Sequence, residues 1–227
     1  MSFLIVVSHP DDEVLGCGGT AAKLSGAGHE VSSCMLSGAV EVRQNRPPLG
    51  ELRQDIAAAA KVMGIGRTIV GDFPNISFNT QPHLALVRFV ENAILETGAT
   101  TIFTHHPDDL NDDHRHTSLA CQAAARLFQR GADVPELEAL YFMEVLSSTD
   151  WTYAGVGRGF RPDTFSEIGD SGVEAKLRAL AAYRDVMRDF PHPRSEEIVR
   201  SQAAVRGGQA GVRYAEAFQT AFGRLRP

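Results

Sequence analysis

The chain of 227 residues is poor in several things, and each shortage narrows what it does. It has three cysteines, Cys17, Cys34 and Cys121, each inside an apolar segment. An odd number without paired spacing excludes a disulfide scaffold and a cysteine-built zinc module, and predicts buried free thiols in a reducing compartment. Aromatic residues make up 7% of the chain and there is one tryptophan. No apolar run approaches the ~20 residues that a membrane span needs. Basic blocks are missing too: 22 Lys and Arg stand against 28 Asp and Glu, a formal net charge of −6. This gives no electrostatic footprint for nucleic acid. The apolar start at 3–7 is too short for the core of a signal peptide, follows no basic residue and runs into His9-Pro10 without a small-residue cleavage site, so a cytoplasmic protein is expected. Repeats, low-complexity tracts and linkers are also lacking, and the length suits one domain over residues 1–227.

What is present alternates. A β-branched run at 3–8 predicts a strand buried on both faces, and a Gly/Ala-rich helix follows over 14–27. A second strand fits 30–36. The polar stretch 37–50, with Pro47-Pro48, predicts a long site-lining loop. Leu52, Ile56, Ala59, Ala60 and Met63 form the stripe of an amphipathic helix closed by Gly64. Strands at 67–70 and 100–104 flank a helix opened by Pro82 with the stripe Leu86, Val87, Val90 and Ile94. A helix over 114–129, a strand over 140–146, a further strand at 164–168, and helices over 173–187 and 194–205 complete the pattern. Such alternation predicts an α/β, Rossmann-like, mostly parallel sheet with helices on both faces.

In open sheets of this kind ligands bind beyond the carboxyl ends of the strands. The loop after the first strand is His9-Pro10-Asp11-Asp12-Glu13, and the fourth strand delivers the chain to another acid and histidine cluster, His105 to His116. Acids at a helix start complement its positive end at about 0.3–1 kcal/mol each, which by itself accounts for Asp11 to Glu13. Two such clusters on one sheet rim point instead to a divalent cation, because unscreened like charges at close range repel. His and Asp suit zinc, which in catalytic sites takes three protein ligands and keeps an open position. His9, Asp12 and one later histidine would supply them. Gly16-Cys17-Gly18-Gly19 lacks the Lys-Ser/Thr ending of a P-loop and the spacing of a dinucleotide fingerprint.

His9-Pro10-Asp11-Asp12-Glu13 together with Asp113-His114 resembles the PIG-L/LmbE-like family of zinc-dependent N-deacetylases acting on N-acetylglucosamine-type groups. The resemblance continues through Asn111 to Arg115, Ser147 to Trp151 and Pro191 to Ser195. It implies zinc on His9, Asp12 and His114, a His/Asp/His set whose donors also suit iron(II) or cobalt(II). It implies Asp11 as the base that takes a proton from the activated water and hands it to the departing amine. Many members carry a histidine three residues before the metal histidine to steady the oxyanion. This chain has Asn111, whose amide donates a hydrogen bond but carries no charge. His192, His105 or His106 are the alternatives for that place, with Asp113 orienting one of these groups.

Arg53 matches a family arginine near the substrate and is equally explained as an exposed helix-start arginine. His192 and Arg194 lie in Pro191-His192-Pro193-Arg194-Ser195, a rigid turn before a helix start or part of the site. Trp151 offers a flat face for a sugar ring or belongs to the core. The expected partner is an N-acetylated amino-sugar substrate, lipid-linked, nucleotide-linked or a small glycoside. A homo-oligomer packed through its carboxyl-terminal helices is the working expectation. A thiol-sugar conjugate amidase, another acyl-amide hydrolase and a non-catalytic sugar-binding module use the same scaffold.

Overall fold

β1 (Ser2–Val7) is buried along its whole length, and alternate side chains enter two different cores. Phe3, Ile5 and Val7 join one apolar cluster, whereas Leu4 and Val6 join the other. Strand periodicity requires this wherever a sheet is covered on both faces. The structure is a computed structural model and describes residues 1–38, 49–155 and 157–225.

β2 (Glu30–Met35) and β4 (Thr101–His105) flank β1 in parallel, β3 (Arg67–Val70) extends β2, and β5 (Ala139–Met143) extends β4. Beyond β5 the direction changes. β7 (Ala215–Gly223) pairs antiparallel with β5 and with β6 (Thr164–Glu167), which gives one domain with the strand order β3-β2-β1-β4-β5-β7-β6. α1 (Asp12–Gly26), α2 (Leu49–Met63) and α5 (Gly169–Ala182) contribute to the first core, and α3 (His83–Thr97) and α4 (Asp112–Ala124) to the second. α6 (Glu196–Ala210) packs Val199 and Ala203 onto the first.

The expected α/β architecture is present, with several shifts in boundary. The helix expected at 114–129 starts at Asp112, because Asn111 caps it, and ends at Ala124 before a short 3₁₀ turn. The helix expected at 173–187 runs from Gly169 to Ala182. The strand expected at 140–146 ends at Met143, and the chain then turns through Val145 to Thr149. β7 was not foreseen. Its sequence alternates poorly, and it is held by strand neighbours on both sides rather than by its own propensity. Most of the loop expected at 37–50 lies outside the described residues. Cys17, Cys34 and Cys121 are buried and free. No helix among the described residues is long and apolar enough to cross a membrane.

Candidate metal centre

The first cluster begins where β1 ends. Asp11 sits at φ 94°, a left-handed conformation that is costly for any residue but glycine. The surrounding hydrogen bonds determine it. Its N–H donates to Glu13 Oε2 at 3.0 Å, and its carbonyl accepts from the N–H groups of Val14 and Leu15 at 3.1 and 2.9 Å. Asp12 turns back so that Oδ2 accepts from His9 N–H at 3.0 Å. Burial pushes the Glu13 carboxyl up to about 8, partly opposed by the Tyr183 hydroxyl, which donates to Oε1 at 2.6 Å.

The second cluster comes from β4 and α4. His105 closes the strand, and its Nε2 accepts from Ser8 N–H at 2.9 Å. His114 stands in the first turn of α4. Asp12 Oδ2 faces His9 Nδ1 at 3.3 Å, His114 Nε2 at 3.1 Å and His105 Nε2 at 3.6 Å, all of them buried. The outer nitrogens of two of these rings are backed by carboxylates. His9 Nε2 meets Asp113 Oδ2 at 2.9 Å, and His114 Nδ1 meets Asp109 Oδ1 at 3.2 Å. Asp113 also accepts from the N–H groups of Ile76 and Phe78, at 2.6 and 3.0 Å. Asp109 accepts from the hydroxyls of Ser148 and Thr149 and from Asn111 N–H. Burial works against both carboxylates. His9 and the two amides nonetheless hold Asp113 below its ordinary value, and His114 and Ser148 hold Asp109 at about 2.

These partners select the tautomers. A proton on His9 Nε2 and one on His114 Nδ1 serve the backing carboxylates, which turns the lone pairs of His9 Nδ1 and His114 Nε2 toward Asp12. Those two nitrogens are buried without a hydrogen-bond partner. A carboxylate facing two imidazole lone pairs needs a cation or a proton between them. Burial disfavours charge on His114, yet Asp12 and Asp109 override it and push the ring up to about 10. Ligand atoms 2.0–2.1 Å from one tetrahedral zinc lie about 3.3 Å apart, so His9, Asp12 and His114 fit such an ion. His105, Asp109 and His114 also form a group of ligating types. There, however, His105 Nε2 is taken by Ser8 and the Asp109 oxygens by Ser148 and Thr149. Burial drives His105 down to about 3, and it stacks as a neutral ring on His114 with centroids 3.8 Å apart.

The remaining predicted residues divide. Arg194 Nη1 donates to Asp11 Oδ2 at 3.3 Å and Nε to Ser147 Oγ at 2.7 Å, which brings the Pro191–Ser195 segment against the first loop. His192 Nδ1 accepts from Arg194 N–H at 3.0 Å, and its ring meets Trp151 edge-on at 5.9 Å. Trp151 is 47% exposed, so it is not a core residue. Ser195 does cap α6, its hydroxyl accepting from Ile198 N–H. Asn111 Oδ1 caps α4 by accepting from Asp113 N–H at 3.0 Å, so only the amide nitrogen is left to donate. Asp113, expected beside His192, His105 or His106, instead meets His9 in the loop after β1, because it lies in the first turn of α4 facing that loop. His106 is turned away toward Gln219 Oε1 at 3.1 Å and does not enter the cluster. Arg53 is exposed beside a groove of about 620 Å³ between α2 and β3, without a hydrogen bond or ion pair to the cluster among the described residues.

Sequence reasoning did not single out Asp109, Ser148, Thr149, Tyr183 or Asn75. Asp109 lies in the acid and histidine cluster after β4, and Ser148 and Thr149 lie in the Ser147 to Trp151 stretch of the resemblance, but no role was read for any of them. Asn75 is buried with neither side-chain polar atom paired, next to the Ile76 amide that binds Asp113. Nothing local marks it.

The sequence profile of the GlcNAc-PI de-N-acetylase family, PIG-L, matches residues 4–125, a span that contains both clusters. A diacetylchitobiose deacetylase of Thermococcus kodakarensis is 24% identical over 225 residues, covering 94% of this chain and 80% of its own. Among solved structures, a conserved protein of Thermus thermophilus superposes with a TM-score of 0.80 at 23% identity, covering 100% of this chain and 97% of its own. A 4-carboxy-2-hydroxymuconate hydratase of Pseudomonas putida gives 0.77 at 21% identity, covering 100% and 99%. A deacetylase and a hydratase among these similar proteins show that likeness of this degree does not fix the bond acted on.

Proposed function

The chain belongs to the GlcNAc-PI de-N-acetylase (PIG-L) family, and from that premise we propose that it is a metal-dependent hydrolase removing the acetyl group from an N-acetylated amino sugar. The observation that carries this is the pair of buried, unpaired ring nitrogens, His9 Nδ1 and His114 Nε2, turned toward Asp12 Oδ2. Zinc, with iron(II) or cobalt(II) as alternatives, would be held by these three residues and would supply a Lewis acid for the acyl oxygen and a water of pKa about 7.

The chain's own groups do the rest. Asp11 is the general base: it takes a proton from the attacking water and returns it to the departing amine, which leaves acetate and a free amino sugar. Arg194, hydrogen-bonded to both Asp11 and Ser147, fixes the direction of that carboxylate. Asn111 Nδ2 and His192 are the donors for the oxyanion, and Asp109 and Asp113 hold the two metal-facing rings in their tautomers. Trp151 stacks on the sugar, and Arg53 binds its outer hydroxyl or phosphate groups.

The test is metal content together with acetate release from N-acetylglucosamine glycosides, sugar nucleotides and glycolipids, before and after chelation. An unsaturated dicarboxylate is included to detect hydration. About one ion per chain and chelator-sensitive acetate release are expected. Hydration without acetate release would overturn the reaction, and failure to bind zinc would overturn the site.

A further inference from the structure

The Gly16-Cys17-Gly18-Gly19 run marks a break in α1. The helix is two pieces meeting at Cys17, whose φ of −149° and ψ of 28° are not helical. In an unbroken helix the Leu15 carbonyl would accept from Gly19 N–H, and the Gly16 carbonyl from Thr20 N–H. Here Gly19 and Thr20 N–H donate instead to Glu216 Oε1 and Oε2, at 3.1 and 2.7 Å. The Leu15 carbonyl accepts from Lys176 Nζ at 2.8 Å. Lys176 and Glu216 are buried and joined at 2.7 Å. A buried ion pair thus fills two opened rungs, with the cation at the carboxyl end of the upstream turn and the anion at the amino end of the downstream piece, the sense that helix dipoles favour. Glycine admits it: a Cβ on Gly19 would stand 2.8 Å from Ile168 Cδ1 and 3.3 Å from Glu216 Oε1.

The upstream piece is a single turn that carries Asp12. Detached from the axis of the rest of α1, it is located by partners elsewhere in the chain, Lys176 on Leu15 and, seven residues further along, Tyr183 on Glu13. We propose that Lys176 and Glu216 are positioning residues which, by filling the break in α1, aim the Asp12 carboxylate between His9 and His114. This rests on the metal site proposed above. An apolar pair would let Leu15 and Gly19 re-form their helical bond and swing the turn off that direction. Exchange of a buried ion pair for apolar residues is often neutral or stabilising for the fold, so a purely structural pair would leave metal binding unchanged.

The experiment compares the wild-type chain with Lys176→Met/Glu216→Leu, both stripped of metal and checked for folding by circular dichroism. Each is titrated with zinc against a competing chelator and with cobalt(II) followed by its visible absorption. The double variant is expected to lose at least about tenfold in zinc affinity and to show a shifted cobalt spectrum, as when groups that orient metal ligands are removed. Wild-type affinity and spectrum in the folded variant would overturn the proposal. If the double variant does not fold, Lys176→Arg keeps the charge but displaces the donor to Leu15: a shifted cobalt spectrum supports the proposal and an unchanged one overturns it. A wild-type chain that takes up neither ion overturns the site itself, a result distinguishable because wild type and variants then behave alike.

Discussion

α1 touches two groups of buried charged side chains. At its break, Lys176 and Glu216 satisfy each other and three backbone groups, so both carboxylate oxygens and the ammonium are engaged. At its start, Asp12 faces two imidazole nitrogens that have no hydrogen-bond partner, although their outer nitrogens are bound to carboxylates. Burial is similar in the two places. The difference is closure: the first group is complete within the chain, whereas the second is oriented from behind and leaves open the place that the proposed cation would fill. Orphaned polar atoms in a native interior mark function more sharply than charge or burial does.

The comparison breaks most visibly when an inward-facing ligand is removed. His114→Ala and Asp12→Ala are expected to lose the bound metal and about 10³-fold or more in kcat/KM together, read by metal analysis and acetate release. Retained stoichiometric metal would show that the three atoms are not the ligands. Asp11→Asn is expected to keep the metal and lose roughly 10²–10⁴-fold in kcat, the usual contribution of a general base. Loss of metal in that variant would exchange the roles of Asp11 and Asp12.

Removing a group from behind the rings sharpens the same contrast at smaller amplitude. Asp109→Asn and Asp113→Asn are each expected to weaken zinc binding about 10–100-fold without abolishing it. They should differ in stability. Asp113 ties down two amides, those of Ile76 and Phe78, which cannot turn to another acceptor, whereas Asp109 holds one amide and two hydroxyls that can rotate, so the Asp113 variant should melt at the lower temperature of the two. Equal melting temperatures would show that the 75–78 segment is held by other contacts.

His9, Asp12 and the acid and histidine cluster after β4 were legible in the sequence because they follow the ends of parallel strands, the one place where an α/β fold gathers side chains from distant segments, whereas His114 within that cluster was picked out by the family resemblance. His9 and Asp12 follow β1, and His114 follows β4. Which histidine nitrogen faces inward was not legible, because the contacts of Asp113 with His9 and of Asp109 with His114 set it, and the spacing does not show them. Lys176 and Glu216 were illegible for a further reason: they reach α1 from 161 and 196 residues away and leave no local period. β7, which carries Glu216, was missed for the same cause. A strand supported by neighbours on both sides does not need a strong pattern of its own.

The smallest expected effect concerns the far edge of the site. Arg53 is exposed on α2, and an exposed charge contributes about 0.2–1 kcal/mol to the contacts it makes, which is up to about fivefold in affinity. Arg53→Ala should therefore raise KM by a few-fold at most and leave kcat and zinc affinity unchanged, because it makes no hydrogen bond or ion pair to the inward-facing cluster among the described residues. Steady-state kinetics on a substrate carrying a phosphate and on one without it separates two sources of that effect: a rise confined to the phosphorylated substrate assigns Arg53 to its anionic group, and an equal rise assigns it to the sugar hydroxyls. A fall in kcat would place the guanidinium at the reacting centre, and would mean that α2 moves inward by much more than a side-chain rotation when substrate binds.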